Sequence, residues 1–343
     1  HSCLAGIILI MQNEQKNKVK LIIRWAGTIV SIAIMVYLLS KVGWREAWET
    51  VSQLAWWRIG LILVLVFVSR FATYFRWQAL LSVQDEKVSA VEVLKLTFAG
   101  LFASNFMPTT IGGDVFRLAG AVRLGIDSAL ATASLIADRI VGMTGMTLVL
   151  PLAIPNFVAY IKENQKPQET IRYIPLLMNV ELNDDESDKK KPPIFKRLIQ
   201  KLKNGLKKLR ESFAYWLKNP KSLIKALGFT LVHQLAIYLI ITVLINGMGE
   251  SLPFYQVPGI WSLTYFITLL PVSVNGLGLA EVTITNLYSI LGGISPATSI
   301  ALALILRIVW MIGSLPGAFF IGDVLAGKEK EIKSEGDDGL SRN

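Results

Sequence analysis

Five stretches of this chain, 21–40, 57–80, 128–155, 223–247 and 297–322, are apolar almost throughout. Each is about 20 residues or longer, the length a helix needs to cross the hydrocarbon core of a bilayer. Within lipid, only helices and closed barrels satisfy every backbone N–H and C=O. Strand-like alternation of apolar and polar residues is absent, which argues against a barrel. The sequence therefore predicts an all-α, polytopic helical membrane protein. The charged fraction agrees, at 17% against about a quarter in a soluble domain. Shorter or interrupted apolar runs occupy 90–107, 114–125, 253–271 and 279–291.

Charge is distributed unevenly. Residues 189–225 hold 13 Lys/Arg and one acid, Glu211. Lys16, Lys18, Lys20 and Arg24 flank the first span, and Lys328 and Lys330 follow the last. Basic flanks stay cytoplasmic, so both termini and the 189–225 segment are expected inside. Within it, Phe195, Leu198, Ile199, Leu202, Leu206, Leu209, Phe213, Trp216 and Leu217 recur at helical spacing with Lys and Arg between them. That pattern predicts a basic amphipathic helix on an anionic lipid surface rather than a nucleic-acid patch. Arg70 and Arg76, near one end of the second span, are read as snorkelling to the interface.

Two apolar runs are broken in the same way. "FASNFMPTTIGGDVFR" and "FITLLPVSVNGLGLAE" each start with Phe and pass through Pro, small or β-branched residues and Gly to a carboxylate. A long span precedes each broken run and another follows it, which predicts two internal repeats, each containing a Pro/Gly-broken helix pair. Transporters built from repeats place their sites at such breaks. There the freed backbone groups must face protein or water, and a helix N-terminus favours an anion such as phosphate.

Charges at membrane depth cost about 2.5–3.5 kcal/mol even on the lenient insertion scale, so they pair or face a polar cavity. Asp114, Arg117, Asp138, Arg139, Glu281 and Arg307 are such residues. Asp114 and Arg117 lie three apart on one helical face. Adjacent Asp138 and Arg139 point in different directions and need separate partners. Arg307, mid-run in "ALALILRIVWMIG", is expected to face the space between the repeats. The one cysteine, Cys3, permits no internal disulfide, and His233 reads as a packed helix residue rather than a zinc ligand. No cofactor is predicted, and no Gly-x-x-x-x-Gly-Lys-Ser/Thr nucleotide motif occurs.

At these residues the chain resembles a known family, the flippase-like transmembrane region of lysylphosphatidylglycerol synthase and its stand-alone relatives. The resemblance rests on Asn105, Pro108, Gly112, Gly113, Asp114, Arg117, Asp138, Arg139, Pro271, Gly276, Gly278, Glu281 and Arg307 and spans about 20–325. It implies movement of lipids or lipid-linked molecules between leaflets. The soluble aminoacyl-transferase domain of the synthase is not recognised here, so the chain is not expected to be an enzyme making lysylphosphatidylglycerol.

The expected organisation is a leader and cytoplasmic tail at 1–19, a first transmembrane half at 20–155 and a polar loop at 156–193. The interfacial helix follows at 194–220, then a second transmembrane half at 221–326 and a cytoplasmic tail at 327–343. The expected function is a lipid translocase of a bacterial cytoplasmic membrane whose partners are anionic phospholipids or lipid-linked phosphates. A homo-oligomer or a lipid-modifying enzyme partner is compatible with it. The expected substrate-binding residues are those of the resemblance together with Asn275, Pro271 excepted. The alternatives are an intramembrane transferase acting on a lipid phosphate and a scaffold for lipid-modifying enzymes.

Overall fold

The computed structural model describes residues 51–82, 89–106, 112–163, 219–270 and 276–326, and singly residues 33, 49 and 216. The first predicted span, both termini and most of the basic segment lie outside the described residues. So do Pro108, Pro271 and Asn275. Among the described residues every regular element is helical: α1 (Trp56–Leu81), α2 (Ala90–Phe106), α3 (Gly112–Arg123), α4 (Ser128–Val149), α5 (Ile154–Glu163), α6 (Pro220–Gly247), α7 (Gln256–Thr268), α8 (Leu279–Gly292), α9 (Pro296–Ser314) and α10 (Pro316–Ala326).

Among the described residues four helices are long and apolar enough to cross a membrane: Trp56–Leu81, Ser128–Lys162 (α4 carried through a 3₁₀ turn at Leu150–Ala153 into α5), Pro220–Gly247 and Pro296–Ser314. They present Val64, Leu148, Leu231 and Ile308 outward, as a lipid-facing surface requires. Local chemistry sets their ends. The Asp127 carboxylate caps α4 by accepting from the Leu130 N–H, and Ser295 caps α9 by accepting from Thr298. Such caps satisfy donors that the first helical turn leaves unpaired. α8 starts behind Gly276 and Gly278, whose φ angles of 69° and 76° lie where a side chain is disfavoured.

Two boundaries differ from the sequence reading. Helix continues to Glu163, into the segment read as a polar loop. Phe157, Val158 and Ile161 face outward there, so lipid contact extends the helix past the polar residues that suggested a loop. The single run at 297–322 is two helices, because Pro316 has no N–H to continue α9's ladder and starts α10 instead. Trp216, read as part of a lipid-facing stripe, is fully buried and donates from Nε1 to the Leu80 carbonyl at 3.2 Å.

α1 and α6 form the most extensive helix pair. The short helices form hairpins, α2 with α3 and α7 with α8. Across the molecule α2 packs on α10, and α7 on the turn at 150–153. Glycines permit both crossings: a Cβ on Gly317 would meet the Phe98 backbone, and one on Gly259 the backbone of Leu152 and Ala153. Close backbone approach at small residues is a usual basis of helix association in lipid. The largest apolar core lies in the second half, around Ile241, Leu244, Ile260, Tyr288, Leu302 and Leu306.

Candidate ion-pair cavities at the broken helices

Buried Arg76, Asp138 and Arg117 and half-buried Asp114 and Arg139 form an alternating chain of charges across α1, α3 and α4. Arg76 Nε donates to Asp138 Oδ1 at 2.6 Å, and Arg117 Nη1 donates to Asp138 Oδ2 at 3.3 Å. The same Nη1 reaches Asp114 Oδ1 at 3.3 Å, and Arg139 Nε donates to Asp114 Oδ2. Asp138 and Arg139 do have separate partners, as adjacent helical residues must. Arg76 does not snorkel. Its side chain is 11% exposed and its partner's 5%, because the unpaired Asp138 carboxylate would be more costly than the pair.

Small residues create the space. A Cβ on Gly113 would collide with the Gly100 carbonyl, and one on Gly100 with the Arg117 side chain. The α2–α3 hairpin therefore closes tightly and aims Arg117 inward. Gly142 faces the Arg76 guanidinium, and Gly145 leaves room for Gln234 of α6. Arg117 also lies over the Trp77 ring, 4.0 Å from its centroid, a cation–π contact strengthened by desolvation.

These side chains line a cavity of about 240 Å³ with Thr73, His233, Gln234 and Tyr265. His233 Nδ1 lies 2.8 Å from Ser69 Oγ, so its packed role is combined with a place on the cavity wall. Among the described residues, Arg117 Nε and Nη2 and Gln234 Nε2 are buried donors without partners. Unsatisfied buried donors call for an acceptor, and those of a guanidinium fit a phosphate in a planar fork.

A second ion pair stands in the other broken hairpin. Arg307 Nε donates to Glu281 Oε1 at 2.5 Å, and its Nη2 to the Gly276 carbonyl at 3.3 Å. The carboxylates Asp114 and Glu281 are each the third residue of α3 and α8, and Arg139 and Arg307 each the twelfth of α4 and α9. The second pair lines a cavity of about 310 Å³ with Trp261, Tyr265, Trp310 and Arg139. Arg139 and Tyr265 belong to both cavities.

Of the expected site residues, Gly113, Asp114, Arg117, Asp138 and Arg139 line the first cavity, and Gly276, Glu281 and Arg307 the second. Gly112 opens α3 and Gly278 caps α8. Asn105 lines neither; its Nδ2 donates to Ser314 Oγ at 2.6 Å and ties α2 to the end of α9. Arg117, Arg139 and Arg307, all expected to bind substrate, are spread over two adjoining cavities. Sequence reasoning missed Arg76, Trp77, Gln234 and Tyr265. Only Arg76 carried a signal, as a charge within an apolar span. Among the described residues no three His, Cys, Asp or Glu side chains gather to hold a metal.

The sequence profile of the lysylphosphatidylglycerol synthase TM region matches residues 24–169 and 189–317. A UPF0104 membrane protein of Archaeoglobus fulgidus is 20% identical over 286 residues, which are 77% of this chain and 85% of that protein.

Proposed function

The chain belongs to the family of the lysylphosphatidylglycerol synthase transmembrane region, and from that premise we propose that it is a lipid translocase that holds a phosphodiester headgroup at its broken helices. The observation that carries this reading is the charge of the two adjoining cavities. Four guanidiniums (Arg76, Arg117, Arg139, Arg307) face three carboxylates (Asp114, Asp138, Glu281), leaving one net positive charge. A phosphodiester supplies one compensating negative charge; a dianionic phosphomonoester would leave an excess buried charge, which is costly.

Arg117 takes the phosphate through its unpartnered Nε and Nη2, with Gln234 donating beside it. Asp114 and Asp138 orient the arginines. Gly112, Gly113, Gly276 and Gly278 shape the hairpins, and Pro108, Pro271 and Asn275 belong to the breaks by sequence. The equal registers of the two carboxylate–arginine pairs support reading the halves as repeats. The basic flanks support a bacterial cytoplasmic membrane with both termini inside. Leaflet exchange of fluorescent phosphatidylglycerol in reconstituted vesicles tests the reading. Arg117→Lys keeps the charge but loses the fork, and should weaken lipid binding by about tenfold, the equivalent of one charge-assisted hydrogen bond. Wild-type exchange by a folded Arg117→Lys protein, or a chemically altered lipid product, would refute it.

A further inference from the structure

With the phosphodiester on Arg117, the second cavity, about 310 Å³, remains to be filled. Its charges are already paired. Glu281 Oε1 accepts from Arg307 Nε at 2.5 Å, and Asp114 accepts from Arg139 Nε. A cation placed there would restore the net charge that the phosphodiester removes, and a second anion would reverse it. Either leaves a buried charge uncompensated, which is costly. The occupant is therefore neutral.

The polar groups of the wall specify its chemistry. Glu281 Oε2, an acceptor, and Trp261 Nε1, a donor, are buried without partners among the described residues. Thr264 Oγ1 donates to the Ile260 carbonyl at 3.0 Å, and Thr268 Oγ1 to the Tyr265 carbonyl at 2.8 Å. With their protons committed, both threonine oxygens can only accept. An occupant that donates several hydrogen bonds and accepts at least one carries hydroxyl groups, which do both. Aromatic rings form much of the remaining wall. Those of Trp261 and Trp310 lie 6.4 Å apart, tilted by 55°. The Arg70 guanidinium stands 5.0 Å from the Trp310 ring centroid and donates to the Trp310 carbonyl at 3.4 Å, which holds that ring before any ligand arrives. Aromatic walls with a few converging polar groups are the usual make-up of a small-molecule site. The C–H faces of a polyol pack on such rings while its hydroxyls meet the polar atoms.

We infer that the second cavity is a subsite for a neutral polyol, glyceryl or cyclic, attached to the phosphodiester, an inference that rests on the phosphodiester reading above. Arg139 and Tyr265 line both cavities, so a headgroup whose phosphate lies on Arg117 extends past them into the second. Glu281 stays ionised and paired with Arg307; its other oxygen accepts from one hydroxyl, and Trp261 Nε1 donates to another. The substrate class narrows from phosphodiester lipids in general to those with a hydroxylated headgroup.

The test titrates the detergent-solubilised full chain with the dihexanoyl forms of phosphatidylglycerol, phosphatidylinositol, phosphatidylethanol and phosphatidylethanolamine, and reads the heat of binding. Phosphatidylethanol carries the charge of phosphatidylglycerol without a headgroup hydroxyl. A hydroxylated lipid should bind at least about tenfold more tightly than phosphatidylethanol, as expected when a buried charged acceptor gains a donor. That preference shown by phosphatidylinositol alone identifies the cyclic polyol; shown by phosphatidylglycerol, it identifies the glyceryl group. Trp261→Phe removes the N–H and keeps an aromatic ring, and should cut the preference at least about threefold. Thr268→Val removes one acceptor at nearly constant shape and should act in the same direction if Trp261→Phe folds poorly. Equal affinity of the wild type for phosphatidylglycerol, phosphatidylinositol and phosphatidylethanol would overturn the subsite alone, leaving a cavity that holds water only. Tighter binding of phosphatidylethanolamine would overturn it in favour of a cation. An undiminished preference in both variants, folded, would overturn its assignment to this cavity. Absence of binding by all of these lipids would overturn the phosphodiester reading as well.

Discussion

Arg76→Met separates a buried structural arginine from a snorkelling one. Met fills much of the aliphatic volume and leaves Asp138, whose side chain is 5% exposed, with Arg117 as its remaining partner at 3.3 Å. Removing one member of a buried pair costs about 3–5 kcal/mol. The retained Arg117 contact places Arg76→Met near the lower end, about 3 kcal/mol. A snorkelling arginine would cost less than about 1 kcal/mol, as exposed ion pairs do. Reversible unfolding in mixed micelles measures the difference. Asp138→Asn in the Arg76→Met background removes the stranded charge and should recover most of the loss. The double-mutant cycle should then give a coupling of about 2 kcal/mol, within the range for contacting residues. An Arg76→Met protein as stable as the wild type, or a double mutant no better than the single one, would refute the buried-pair argument.

Gly113→Ala places a methyl against the Gly100 carbonyl and should destabilise by roughly 2 kcal/mol, as overpacking does, with lipid binding reduced because Arg117 is displaced; thermal unfolding and binding read both effects. Burial alone would raise the Glu250 carboxyl, but hydrogen bonds from Ser295 and Thr298 outweigh it and hold it below its usual range. Stability from this depressed group is present above the unfolded carboxylate pKa and lost as pH falls through the folded one. Glu250→Gln should therefore flatten the acid-side decline in thermal stability, and an unchanged pH profile would refute the assignment.

The spans were legible in the sequence because a lipid solvent leaves so few solutions to backbone hydrogen bonding. The broken hairpins were legible because Pro and Gly have few other uses inside an apolar run. The carboxylates and arginines were legible one at a time, since charge at membrane depth is costly wherever it sits. Their pairing was only half legible. Asp114 and Arg117 share a helical face, but Arg76 meets Asp138 across 62 positions of chain, and no local pattern reports that. Trp77 and Gln234 looked like ordinary span residues; their roles come from a stacked guanidinium and a glycine two helices away. Helix also outran its apolar signal at 156–163, where outward Phe157 and Ile161 are enough for lipid contact.

The crossings of α10 on α2, and of the 150–153 turn on α7, have a consequence for biogenesis. Each half of the chain clasps the other with its closing segment. While a ribosome is still at work on residues before 316, α2 has no α10 to lie against, and the hairpin that aims Arg117 rests on a helix with one flank open to lipid. Assembly of the first half is therefore completed by the last helix described. A chain that ends before Pro316 should damage the Arg117 cavity, although every residue lining that cavity precedes the break.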